Sequence, residues 1–135
     1  MGSKYTKILS ASDCNLGDHI RFTLEAGTIS DAIVVQTLNG DRVKIIHMGP
    51  LDPDGPVTVQ CPAVVSGVRE DEVDLGQYIS NRTLKRVNYR TGSCNTPEQV
   101  VILARRQIGV TSPSLSSKQF AKWCKTHRSQ VSQSR

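Results

Sequence analysis

At 135 residues, 37% of them hydrophobic and 21% charged, the chain has enough apolar content for one small core and no run near the roughly 20 apolar residues that span a bilayer. Integral membrane insertion is therefore not expected, and with aromatics at 4% the core has to be filled by Val, Ile and Leu. The net charge of +5 is unevenly spread: residues 1–74 hold 6 Lys/Arg and 11 Asp/Glu, net −5, whereas residues 75–135 hold 11 Lys/Arg and the single acid Glu98, net +10.

In chain order, residues 19–24, 32–38, 42–48 and 57–66 are rich in β-branched and apolar types and read as strands. Leu38-Asn39-Gly40-Asp41 predicts a hairpin between the second and third, because Asn-Gly accepts the positive φ of a tight turn. Residues 50–56, with three prolines and a glycine, read as a rigid loop. A short helix or turn is expected over 70–80 and another strand over 84–90, with Lys85, Val87 and Tyr89 on one face and Arg86, Asn88 and Arg90 on the other.

The helical signals lie at the end. Thr96 is a cap, Pro97 suits the first position and Gln99 completes a capping box; Val100, Leu103, Ala104 and Ile108 form an apolar stripe, and Gly109 marks the exit. A second helix begins near Ser116, with Phe120, Trp123 and Cys124 inward and Lys118, Lys122 and Lys125 outward. The expected class is α+β, a small antiparallel β-sheet packed by C-terminal helices. A single domain spans 1–128, and the Ser/Gln-rich residues 129–135 form a flexible tail.

Cys14, Cys61, Cys94 and Cys124 show neither a Cys-x-x-Cys pair nor a His at zinc-ligand spacing, so neither metal nor cofactor is expected. No secretory signal precedes Tyr5, which makes these reduced thiols and the setting cytoplasmic. The charge split points to a basic face for phosphate backbones or anionic lipid. Arg82, Lys85, Arg86 and Arg90 come from one strand region, Arg105 and Arg106 from one helix, and Lys118, Lys122, Lys125 and Arg128 from the next. RNA is the expected partner, with Tyr89 the best placed ring for a base; the plainer reading is that these cations are ordinary solvated faces.

Several blocks, in order, resemble the lecithin:retinol acyltransferase-like family. Gly17-Asp18-His19-Ile20 is similar to its opening Gly-Asp-Leu-Ile, Ser30-Asp31-Ala32-Ile33 to its His-Trp-Ala-Ile box, and Ile45-Ile46-His47-Met48-Gly49-Pro50 to its Val-Val-His-Leu-Ala-Pro. Lys85-Arg86-Val87-Asn88-Tyr89 looks like Tyr-Arg-Val-Asn-Asn, and Ser116-Ser117-Lys118-Gln119-Phe120 like the Asn-Cys-Glu-His-Phe box. The resemblance implies an NlpC/papain-like fold, with Ser30 in place of the catalytic His and Ser117 in place of the catalytic Cys. Of the polar set it leaves His47, at the position of the orienting third member. The picornaviral 2A proteins of the H-box/NC-box type are the most similar group in size and charge.

The family's Cys is activated as a thiolate by a helix N-terminus and an imidazole, a route closed to serine, whose hydroxyl needs a placed general base. The resemblance therefore implies a catalytically inactive viral non-structural protein in the host cytoplasm, acting in RNA replication or on host or viral protein partners. The alternatives are a cellular pseudoenzyme serving as an interaction module, and a weak hydrolase on Ser117 and His47 supported by Asp31 or Asp18.

Overall fold

The Asn39-Gly40 turn sets the frame of the sheet. Gly40 takes φ 70°, Leu38 N–H donates to Arg42 O at 2.9 Å, and strands β3 (Ile29–Thr37) and β4 (Arg42–Pro50) pair antiparallel on either side. In this computed structural model, which describes residues 4–23, 29–50, 66–90, 92–110 and 116–127, they form the centre of a six-stranded antiparallel sheet. The other strands are β1 (Tyr5–Lys7), β2 (His19–Thr23), β5 (Ser66–Asp74) and β6 (Lys85–Val87), in the spatial order β1-β6-β2-β3-β4-β5. Helices α1 (Gly76–Ser80), α2 (Pro97–Arg106) and α3 (Ser117–Thr126) complete an α+β fold.

Alternation along the strands divides the core in two. Ile33, Val35, Ile46 and Val68 point to one face and meet Val100 and Ala104 of α2 and Phe120, Ala121 and Cys124 of α3. Ile20, Phe22, Ala32, Val34, Val43 and Ile45 point to the other, which is covered by Ile8, Ala11, Cys14, Leu75 and Leu84. Phe120 and Ile46 are essentially fully buried, and each such side chain contributes about 1.5–3 kcal/mol of apolar burial.

Both long helices start on complete capping boxes, Thr96 with Gln99 and Ser116 with Gln119. The second box gives Gln119 a structural task not foreseen in the sequence: its side chain accepts from Ser116 N–H at 2.9 Å. On α2 the stripe holds for Val100, Leu103 and Ala104, but Ile108 lies past the helix end and is 45% exposed. There the chain turns at Gly109, φ 93°, and runs beside β5, with Gly109 N–H donating to Val68 O and Val68 N–H to Val110 O. Trp123 is only partly buried, stacked on the His127 ring at 4.6 Å, while Phe120 and Cys124 are inward as expected.

Other expectations need correction. Residues 66–74 form one continuous strand, so the helix expected over 70–80 is confined to Gly76–Ser80. Except for Ser66, the strand expected over 57–66 lies outside the described residues, as does the proline-rich segment after Pro50. The strand expected over 84–90 extends only from Lys85 to Val87, and β1 was not anticipated at all. The tail 129–135 and Cys61 also lie outside the described residues. Burial, with Asp18 and Asp13 nearby, pushes the Cys14 thiol up to about 11, and burial pushes Cys124 up to about 12, so both are protonated core residues.

Candidate nucleic-acid interface and the nucleophile position

Ser116 caps α3, which makes Ser117 the first helical residue and turns its hydroxyl back toward the sheet. Its Oγ accepts a hydrogen bond from the Asp31 backbone N–H at 3.2 Å. The helix start thus meets β3 beside Ser30, but the pairing register sends Ser30 the other way. Ala32 pairs with His47, and by alternation Ser30, Ala32 and His47 share the face away from α3, whereas Asp31 and Ile33 share the face toward it.

Asp31 is 1% exposed and forms the floor of the site. Directly across on β2 is Arg21, whose Nε lies 3.4 Å from Asp31 Oδ2; at the diagonal position His19 Nε2 lies 2.6 Å from the same oxygen. The other ring nitrogen of His19 meets the Tyr89 hydroxyl at 2.7 Å. The Asp31 carboxyl meets one ring nitrogen and the Tyr89 hydroxyl, which can donate or accept, meets the other, so the imidazole is held from both sides. Burial, reinforced by the Asp31 charge, raises the Tyr89 phenol well above its usual range, so the hydroxyl stays protonated. Both ring nitrogens of His19 are engaged, and Ser117 is the partner of neither.

The remaining polar residues of the sequence reading are placed elsewhere. His47 Nε2 is bonded to Asp71 Oδ2 at 2.7 Å on the opposite face. Burial pushes the Asp71 carboxyl up, but hydrogen bonds from Arg69 and His47 outweigh it and hold the group below its ordinary value. Asp18 accepts from Asn15 N–H at 2.8 Å, and burial raises its carboxyl above the ordinary value. Ser117, His47 and Ser30 therefore do not converge, and neither Asp31 nor Asp18 orients His47. Among the described residues, no three His, Cys, Asp or Glu side chains gather as metal ligands, and no helix is long and apolar enough to cross a membrane.

The basic residues divide in a similar way. Lys118 and Lys122, on the first turns of α3, overlook a pocket of about 190 Å³ whose other walls are Lys4, Tyr5, Arg21, Val87 and Tyr89, with His19 and Asp31 also lining it. A second pocket of about 210 Å³ shares Tyr5 and Arg21 and adds Arg82 and Lys85. Tyr5 stands at the junction, with Lys4 Nζ, the Arg21 guanidinium and Lys85 Nζ at 5.9, 5.5 and 5.7 Å from its ring centroid.

Other cations serve the fold. Lys125 Nζ donates to Gly17 O at 3.2 Å and lies 5.3 Å above the Tyr89 ring; Arg105 is paired with Glu70 at 2.6 Å; Arg86, on the opposite face, donates to Asp13 O at 3.1 Å. Arg90 and Arg106 are exposed outside the two pockets, and Arg128 lies outside the described residues. Lys4 and Arg21 were missed because they sit in the acidic half of the chain. The signal for Arg21 was alternation: it is two residues from His19 on one strand and so shares its face.

No protein-family model matches this chain, and no curated protein matches it.

Proposed function

We propose that this protein acts by binding rather than catalysis, as an acyltransferase-like viral domain that engages the phosphate backbone of RNA in replication or while contacting host factors. The observation that carries the reading is the convergence of Lys4, Arg21, Arg82, Lys85, Lys118 and Lys122 on adjoining pockets around Tyr5. Among the described residues Asp31 is the only acid lining either pocket, and it already faces Arg21 and His19. Such a surplus attracts polyanions without reading their sequence. Tyr5 supplies a ring face on which a base can stack between phosphate contacts.

The non-catalytic part of the reading is supported by the Ser117 hydroxyl, which accepts from a backbone N–H and has no imidazole hydrogen-bonded to it. A fluorophosphonate probe is expected to leave Ser117 unlabelled; labelling abolished by Ser117→Ala would restore the hydrolase. For binding, the test is fluorescence anisotropy of a short single-stranded RNA across a salt series. Each phosphate contact contributes about −0.7 to the slope of log affinity against log salt. Arg82→Glu combined with Lys85→Glu is expected to weaken binding and to flatten that slope by about one to two contacts' worth. Identical salt curves for wild type and double variant would remove this face from consideration.

A further inference from the structure

We infer that the pocket walled by β1, β2, β6 and α3 holds a terminal phosphate, that is, a phosphomonoester, and so lets the protein tell a phosphorylated strand end from a hydroxyl end. The inference rests on the RNA-binding reading only for the source of that phosphate; the pocket chemistry stands apart from it.

The shape sets the size of the ligand. At about 190 Å³ the cavity is below the roughly 300 Å³ where sites for drug-sized molecules begin, and so suits a phosphate with the sugar that bears it. Its lining includes the His19–Asp31 pair, both members 2% exposed at the side chain and tied to each other and to Tyr89, which gives that end of the cavity a fixed polar wall. A ligand enters from the rim, where Lys4, Lys118 and Lys122 stand. A chain end fits such a cavity better than a diester that has to continue in both directions.

The charge sets the ligand's chemistry. A phosphomonoester carries about −1.5 to −2 at neutral pH and three strong acceptor oxygens, against a single charge for a backbone diester. Lys4, Lys118 and Lys122 offer ammonium donors, and Arg21 adds a guanidinium held in place by Tyr5 Oη at 3.0 Å and by Asp31. With Asp31 already paired with Arg21 and bonded to His19, the rim lysines have no acid to themselves among the described residues that line the pocket, and a dianion complements them. Val87 and the Tyr5 ring give the sugar an apolar wall.

Two titrations test this with the full chain. In the first, anisotropy compares short single-stranded RNAs of one sequence carrying 5′-phosphate, 3′-phosphate or hydroxyl ends. In the second, calorimetry compares ribose 5-phosphate with ribose. One phosphorylated end is expected to bind at least about ten-fold more tightly than the hydroxyl end, as charge-assisted hydrogen bonds to the additional charge allow. Ribose 5-phosphate is expected to compete for the site. Lys118→Ala with Lys122→Ala should bring the ratio to about one, whereas Arg82→Glu with Lys85→Glu should weaken all the RNAs and leave the ratio in place.

Binding of ribose 5-phosphate without discrimination between strand ends keeps the phosphomonoester pocket and makes a free sugar phosphate its source. Binding of ribose 5-phosphate with no RNA bound at low salt does the same and ends the RNA reading instead. Equal affinity for every RNA end, together with no heat from ribose 5-phosphate, overturns the inference and leaves the RNA reading untouched.

Discussion

The two ends of the sheet hold their charges by opposite rules. At the β5 edge the acids are answered locally: Asp71 by Arg69 and His47, Glu72 by Arg42, Glu70 by Arg105 of α2. At the β1–β6–β2 end the positive charges gather around pockets in which Asp31 is the only acid among the described residues. Charged side chains along an edge discourage a strand from adding a neighbour, whereas a surplus of one sign attracts the opposite charge, which is the basis of the proposed binding. The split does not follow the two halves of the sequence: Lys4 and Arg21 bring cations from the acidic half to the pocket end, and Arg105 goes from the basic half to the β5 edge.

The largest expected effect comes from Asp31, the acid on the floor of the first pocket. Asp31→Ala leaves His19 and Arg21 buried or half-buried without their carboxylate, and breaking a buried pair in this way costs about 3–5 kcal/mol. Urea unfolding measures it, and a loss under about 1 kcal/mol would mean that the pair is idle. Next in size, Lys118→Glu with Lys122→Glu is expected to weaken RNA binding by about ten-fold or more at low salt, with thermal stability unchanged because both side chains are exposed. Loss of binding accompanied by unfolding would break the contrast between the two ends.

At the self-neutralised edge the effects are smaller. Asp71 has its carboxyl held below the ordinary value of 3.8, so its stabilising contribution is complete above that pH and is lost as pH falls through the lowered value. Asp71→Asn should therefore lower stability at neutral pH by that contribution and leave strongly acid pH little altered, which flattens the acid limb of the stability curve; an unchanged limb would show that another carboxylate governs it. Smallest of all, Arg42→Ala and Arg105→Ala remove partly exposed ion pairs and should each cost less than about 1 kcal/mol, with RNA affinity unchanged. A drop in affinity for either variant would extend the binding surface to the wrong edge.

Where local chemistry decided the structure, it could be read from the sequence. Asn39-Gly40 admits a tight turn, and Thr96 and Ser116 cap helices through their own hydroxyls, so these elements need no tertiary information. β5 was hidden by the same charges that protect it: Arg69, Glu70, Asp71 and Glu72 interrupt the apolar pattern of an edge strand. β1 is three residues long and exists because β6 is there to pair with it. The site was half legible. Ser117 was singled out and does meet β3, but the one-residue question of which side chain faces it depends on register, which selects Asp31 over Ser30. The role of His19 was hidden because nothing in its neighbourhood of sequence shows that Tyr89, 70 residues away, reaches its ring.

The strand order has a consequence in time. β1 has β6 as its strand neighbour, and β6 in turn lies between β1 and β2. At translation rates of roughly 5–20 residues per second, Tyr5 has to wait several seconds for Val87 to be made, and the pair then has to close a loop that spans most of the chain. The β2–β3–β4 meander is free to form first, since its pairings are local, and β1 is the last strip to zip on. Lys4 and Tyr5 belong to that late strip, so the binding end is completed only when the rest of the sheet is already in place. A half-made chain therefore carries the local pairings of the meander but not the pocket, whose walls come from both ends of the sequence.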